Sequence, residues 1–227
     1  MDRKLARPLA PNDSSIVIFG GSFDPPHVGH IAVCDWVVAH HHFDHLLIIP
    51  CGSHPFDKTL TPFSHRLQML SLAFPNALHD PNTLVKSDTQ GSREKNSIII
   101  SHIEANLAPK SYTIDTVEKL SNTYPLANFW LLCGSDIKSE VHSWHRSKEL
   151  LERVQLLSYP MKRIVGISSD STKKFAENQT DIAYISSTDI RNRIKHQKEI
   201  KDIVPSAVAD YIRTHRLYVN TIADKTP

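Results

Sequence analysis

Short apolar, β-branched runs alternate with helix-length amphipathic stretches along this chain, and that alternation restricts the fold more than any other feature. Strands are expected at SIVIFG (15–20), HLLIIPC (45–51), SIIISHI (97–103), NFWLLCG (128–134), VQLLSY (154–159) and IAYIS (182–186). Each is short and rich in residues that pack well on a pleated surface. Between them, HIAVCDWVVAHH (30–41), SHRLQMLSLAF (64–74), TIDTVEKLSNTY (113–124) and KSEVHSWHRSKELLERV (138–154) space apolar residues three and four apart. That is the period of one helix face. Strands alternating with helices predict an α/β fold, a doubly wound parallel sheet covered on both faces. With 227 residues the chain suits a single domain, expected over 15–218, between a disordered tail at 1–14 and a short tail at 219–227.

Other segments punctuate this pattern. PNALHDPNTLVKSDTQGSREKN (75–96) is polar and broken by proline and glycine, so it reads as a long surface loop or lid. ISSTDIRNRI (185–194) reads as a strand end, a Ser/Thr cap and a basic helix start. VPSAVADYIRTHRLY (204–218) reads as a terminal helix opened by Pro205 at its first turn. Lys and Arg total 26 against 24 Asp and Glu, with no long block of one sign, which argues against a nucleic-acid-binding arm. Three separated cysteines without CxxC spacing point to free thiols in a reducing compartment. No signal-peptide core and no run of about 18 apolar residues is present, so a cytoplasmic protein without membrane attachment is expected.

The chemistry concentrates where the first strand ends. GGSFDPPHVGH (20–30) sets two prolines and three glycines in one short run, with His27 and His30 on either side of the third glycine. Ligands of parallel α/β sheets sit outside the carboxyl ends of the strands. Gly20 and Gly21 let backbone come close to a phosphate, and the following helix offers unpaired N–H groups and a positive dipole end. His27 and His30, three residues apart, would face the same anion from one helical turn. Neither GxxxxGK[ST] nor GxGxxG is present. On turn chemistry alone, a tight strand-to-helix connection with two surface histidines remains the alternative.

GGSFDPPHVGH resembles the HxGH signature of the nucleotidyltransferase superfamily, and ISSTDIR (185–191) resembles its C-terminal triphosphate-binding motif. SYTIDTVEKL (111–120), CGSD (133–136) followed by Trp144, and VPSAVADYIRTHRLY are similar to the bacterial nicotinate-mononucleotide adenylyltransferase branch. The likeness runs from about residue 15 to about residue 218. It implies a Rossmann-like fold and attack of a pyridine mononucleotide phosphate on the α-phosphorus of ATP, with pyrophosphate leaving. The partners implied are ATP and the pyridine mononucleotide, with Mg²⁺ arriving on the phosphates; a homo-oligomer is left open.

By the same resemblance, Gly20, Gly21, Ser22 and Phe23 line the nucleotide, and His27 and His30 donate to its phosphates. Arg191 grips the leaving β and γ groups, and Ser187 and Thr188 add donors at their helix start. Lys58, in PCGSHPFDKTL, stands roughly where the family has a phosphate-approaching lysine, and Arg66 is a weaker candidate for that role. Trp144 matches the tryptophan stacked on the pyridine ring, and Thr113 lies nearest the donors to its carboxylate. Gly134 and Asp136 lie where a ribose- or metal-binding carboxylate follows a strand. Unlike the family, VQLLSYP continues into MKRIVG, with Tyr159 in place of an arginine and Lys162 and Arg163 nearby.

Rival readings remain at this level. Nicotinamide mononucleotide or pantetheine phosphate are alternative acceptors, a non-catalytic nucleotide-binding regulator is an alternative class, and a histidine-rich metal protein leaves ISSTDIR unexplained. HHHFDH (40–45) lies at an expected helix end, where histidine suits the negative end of the dipole better than it suggests a metal site.

Overall fold

The computed structural model describes residues 14–52, 59–79, 96–105, 112–135, 137–162, 182–183 and 185–219. Its centre is a sheet of six parallel strands: β1 (Ser15–Gly21), β2 (His45–Pro50), β3 (Leu78–His79), β4 (Ser97–Ile100), β5 (Asn128–Gly134) and β6 (Val154–Tyr159). They lie side by side in the order β3-β4-β2-β1-β5-β6. The helices are α1 (Val28–His40), α2 (Phe63–Ala73), α3 (Thr113–Thr123), α4 (Ser147–Arg153), α5 (Ser187–Lys195) and α6 (Ser206–Thr214).

Alternation along β1 shows why the sheet needs cover on both sides. Val17 and Phe19 join one buried cluster with residues of α1, α2, α5 and α6, while Ile16 and Ile18 join another with residues of α3 and α4. Successive side chains of a strand point to opposite faces, so a continuous apolar run demands two helical layers. Strand β2 divides in the same way, Leu46 and Ile48 to the first cluster and Leu47 and Ile49 to the second.

Strand order reverses at β1, and this positions the site. From β1 the chain proceeds to β2 on one side and later returns to β5 on the other. β1 keeps register with β2 as far as Gly21 opposite Pro50, whereas its pairing with β5 ends at Ile18 opposite Leu131. Beyond that point β1 and β5 part, and a crevice opens at the carboxyl ends of the strands, the usual ligand position in such sheets.

Several sequence expectations need correction. The single helix over 138–154 is instead a 3-10 turn (Val141–Ser143) and α4, separated by Arg146 at φ 51°. That left-handed conformation breaks the helical path. The third run, SIIISHI, stops as a strand at Ile100, where the Ser101 hydroxyl accepts from the Ile103 amide and turns the chain. Inside the expected loop 75–96, Leu78 and His79 pair with Ile99 and Ile100 as an edge strand; residues 80–95 lie outside the described residues. The last expected strand shrinks to β8 (Ile182–Ala183), which pairs with β7 (Met161–Lys162) in a separate two-stranded sheet. Pro205 caps α6 rather than occupying its first turn. The tails at 1–13 and 220–227 lie outside the described residues. Among those described, no helix is long and apolar enough to cross a membrane.

Candidate active site

The two glycines that end β1 do different work. A Cβ at Gly20 would meet nothing within 4 Å, so the backbone there faces open space into which a ligand can come. A Cβ at Gly21 would lie 3.1 Å from the Phe23 ring. Phe23 itself is buried at φ 48° and packs edge-on against Phe19, with centroids 5.4 Å apart. Gly21 thus lets the loop fold its own aromatic residue under the turn, while Gly20 leaves the upper side clear.

His27 caps α1 and His30 sits in its first turn, and their rings stack with centroids 3.6 Å apart and planes 23° from parallel. The His27 amide donates to His30 Nδ1 at 3.1 Å. An Nδ1 that accepts carries no proton, so neutral His30 holds its proton on Nε2 and presents a donor there. His27 is 5 % exposed and its Nδ1 has no partner among the described residues. Burial holds His27 well below the usual imidazole range, with His30 adding repulsion, and burial alone lowers His30 to about 3. Both rings are therefore neutral at physiological pH and close together, and His27 keeps a buried ring nitrogen without a partner among the described residues.

Helix α5 closes on this loop from far along the chain. Ser186 caps it, accepting from the Thr188 amide at 3.2 Å, and the Ser187 hydroxyl donates to the Pro25 carbonyl at 2.9 Å. Arg191 Nη1 donates to the Asp24 carbonyl at 2.7 Å and Nη2 to Thr188 Oγ1 at 3.0 Å. Two of the guanidinium donors thus hold Arg191 in place, and among the described residues the other three meet no hydrogen-bond acceptor. The Val28 amide at the start of α1 donates to the Ile203 carbonyl at 3.2 Å, a further tie between the loop and the C-terminal region.

Arg66 does not join the anion donors. It is 1 % exposed, with Nε donating to the Thr61 carbonyl and Nη1 to the Ser22 carbonyl, each at 2.9 Å, and its guanidinium carbon lies 5.3 Å from the Phe63 ring centre. Its position on the inner face of α2 makes it a buttress beneath the loop. Lys58 and Asp136 lie outside the described residues. Within HHHFDH, His40 ends α1, bonds the Trp36 carbonyl at 2.8 Å through Nδ1 and stacks on the Trp36 ring.

On the other side of the crevice, Thr113 opens α3, Gly134 ends β5 and Trp144 follows the 3-10 turn, half-buried against the second core cluster. Three devices hold this side together. Arg146 reaches Glu118 at 2.7 Å and Glu149 with both Nε and Nη2, joining α3 to α4, while His145 stacks on Tyr112 with centroids 4.2 Å apart. Glu104 accepts from the Gly52 amide at 3.0 Å and from the Thr116 hydroxyl at 2.5 Å, linking the end of β2 to α3.

The cytidylyltransferase-like family model matches residues 18–193. A protein of Oceanobacillus iheyensis named "Probable nicotinate-nucleotide adenylyltransferase" is 30 % identical, over 89 % of this chain and 96 % of its own length. One of the same name from Gemmatimonas aurantiaca is 33 % identical, over 88 % of this chain and 90 % of its own. The chain belongs to the nicotinate-nucleotide adenylyltransferase family. Two solved structures of Plasmodium falciparum nicotinic acid mononucleotide adenylyltransferase, complexed with NaAD and with APC, share its fold. Their TM-scores are 0.64 and 0.62, each at 21 % identity and over 90 % of this chain and 97 % of theirs.

Asp24, Glu104, Arg146 and Tyr218 are the residues that motif reading passed over. Asp24 lay inside the quoted turn and Tyr218 at the end of the quoted terminal helix, yet neither type at its position announces a partner in sequence.

Proposed function

We propose that the chain transfers the adenylyl group of ATP to nicotinate mononucleotide. A 5′-phosphate oxygen of the mononucleotide attacks the α-phosphorus, the bond between that phosphorus and the oxygen bridging to the β-phosphate breaks, and pyrophosphate leaves with the bond electrons. Deamido-NAD is the other product. No covalent intermediate is needed, so the protein contributes positioning and charge stabilisation.

His30 Nε2–H and the His27 ring donate to the phosphates, and bound phosphate draws both imidazoles toward the charged form that burial alone disfavours. Arg191 holds the departing pyrophosphate, with the backbone amides at the start of α5 beside it. The Ser187 hydroxyl is engaged with the loop, so that residue contributes its amide. Thr113 and Trp144 serve the pyridine nucleotide, the indole stacking on the ring. Lys58 and Asp136 complete the proposed set on the grounds of sequence alone. Magnesium supplies charge neutralisation on the triphosphate and keeps mostly phosphate and water ligands. Among the described residues no group of three or more His, Cys, Asp and Glu side chains gathers as a dedicated cage, and a cation carried on phosphates requires none.

The observation that carries this reading is the stacked His27–His30 pair held on the same loop to which Arg191 is anchored. Pyrophosphate release from ATP and Mg²⁺, with nicotinate and nicotinamide mononucleotides as parallel acceptors, tests it. Release with the first and little with the second is expected; release with neither rejects the proposed acceptor.

A further inference from the structure

Asp24 is charged chemistry in an apolar place. It is 2 % exposed, packed in the turn between Phe23 and Pro25. A buried carboxylate is tolerated when donors meet both oxygens. Tyr218 supplies one from the far end of the chain, its hydroxyl donating to Oδ1 at 2.7 Å, and the Thr61 amide donates to Oδ2 at 3.2 Å. The carbonyl of this same Asp24 is the acceptor that fixes Arg191 Nη1 at 2.7 Å. One residue therefore joins the glycine-rich loop, the approach to α2, the last turn of the chain and the guanidinium assigned to the leaving group.

The link between Tyr218 and Asp24 is stronger than ordinary packing would make it. A phenol donating to a carboxylate forms a charge-assisted bond, and its length falls in the range of such bonds. Burial, then the Asp24 charge, pushes the phenol well above its usual range, so it stays a donor at any pH at which the enzyme works. Tyr218 sits at φ 62°, a left-handed conformation uncommon for a bulky residue. With Oδ1 held by Tyr218 and Oδ2 by the Thr61 amide, the Asp24 side chain is fixed at both oxygens, on the same residue whose carbonyl receives Arg191 Nη1.

We propose that Tyr218 is a positioning residue for adenylyl transfer, acting through the Asp24 carboxylate and peptide to hold the Arg191 guanidinium on the departing pyrophosphate. This role rests on the transfer reaction assigned above. A residue that only packed the C-terminal turn would affect stability without any dependence on Arg191.

The decisive experiment is a double-mutant cycle of Tyr218→Phe with Arg191→Ala, read as kcat and KM with ATP and nicotinate mononucleotide. Tyr218→Phe is expected to lower kcat by about tenfold or more, in the range that a small misplacement of a reacting group costs. KM for the mononucleotide should hold. In the Arg191→Ala background the same change should cost about twofold or less, since interacting residues are not additive. Asp24→Asn, which weakens the same link from the other side, is the second variant and should behave alike. Tyr211→Phe removes the hydrogen bond between Tyr211 on α6 and His65 and serves as the packing control, with kcat unchanged. The Arg191 Nε–H resonance of the nucleotide-free protein gives a readout independent of turnover. It should move in Tyr218→Phe and stay in Tyr211→Phe, even if wild type proves inactive on nicotinate mononucleotide and the acceptor assignment fails. An equal cost of Tyr218→Phe in both backgrounds, or an unmoved Arg191 resonance, overturns the role.

Discussion

At the scale of single residues, the glycine-rich turn separates two jobs that look identical in sequence. Gly20→Ala should leave the melting temperature unchanged, because its added methyl meets nothing within 4 Å in the nucleotide-free fold, and, on the proposed phosphate role of the loop, should raise KM for ATP. Gly21→Ala should lower the melting temperature, since its methyl would press on the buried Phe23 ring; overpacking of this kind costs about 1–3 kcal/mol. Thermal melts and ATP titrations of the two variants decide between these roles, and a matched pair of outcomes would contradict the assignment. The histidines predict a pH dependence with a definite sign. In the unfolded chain both titrate near the ordinary imidazole value, about 6.5, whereas in the fold His30 stays neutral down to about 3 and His27 is also lowered. Below about pH 6.5 the unfolded chain binds protons that the folded chain refuses, so stability falls as pH falls through that window. Melting temperatures of the nucleotide-free protein from pH 7.5 to 5 should show this decline, and His30→Asn, which keeps an acceptor near Nδ1, should flatten it. In catalysis, His30→Ala should reduce kcat by about a hundredfold or more, with little change in KM, the pattern of a donor used chiefly in the transition state.

At the scale of elements, the stretch expected as one helix over 138–154 is broken, and the break has a use. Arg146 takes the left-handed conformation there and spends its guanidinium on Glu118 of α3 and Glu149 of α4. The turn carrying Trp144 is thereby tied to the helix that Thr113 opens. Exposed ion pairs add little to global stability, so the contribution belongs to local order. Arg146→Ala should leave the melting temperature nearly unchanged and raise KM for the pyridine mononucleotide about two- to fivefold, with KM for ATP unaffected. Steady-state kinetics with each substrate varied in turn checks this, and an equal effect on both substrates would refute a local role. Val141 and Leu150 both reach the core, but from separate elements on either side of Arg146, so the apolar spacing over 138–154 marks buried positions without marking one helix. What it could not reveal was that charge partners on α3 would favour a turn between them.

At the scale of the whole molecule, the C-terminal region is part of the core and of the site together. Ile190, Ile203, Val204, Val208 and Ile212 are buried in the cluster that also holds Val17, Phe19 and the inner face of α1. Ile190→Ala, at the residue next to Arg191, should cost about 2–5 kcal/mol, read in urea as a lower midpoint with an unchanged slope. The composition of the strands, alternating with helical periodicity, already determined a parallel α/β sheet, since residues such as Ile16 to Phe19 are apolar on both faces and demand two covering layers. The same local logic marked GGSFDPPHVGH and ISSTDIR, because glycine, proline and capping residues act within a few positions of themselves. The tertiary structure alone decided what those segments meet. Leu78–His79 became a strand only because β4 offered it an edge. Arg66, in sequence a weaker candidate than Lys58 for a phosphate contact, became a buttress because α2 turns it inward to the Thr61 and Ser22 carbonyls. Asp24 and Tyr218, separated by nearly the whole chain, became one hydrogen bond. Periodicity and turn chemistry are properties of neighbouring residues and can be read along the chain, whereas a side chain's partner is fixed by the packing of segments remote in sequence.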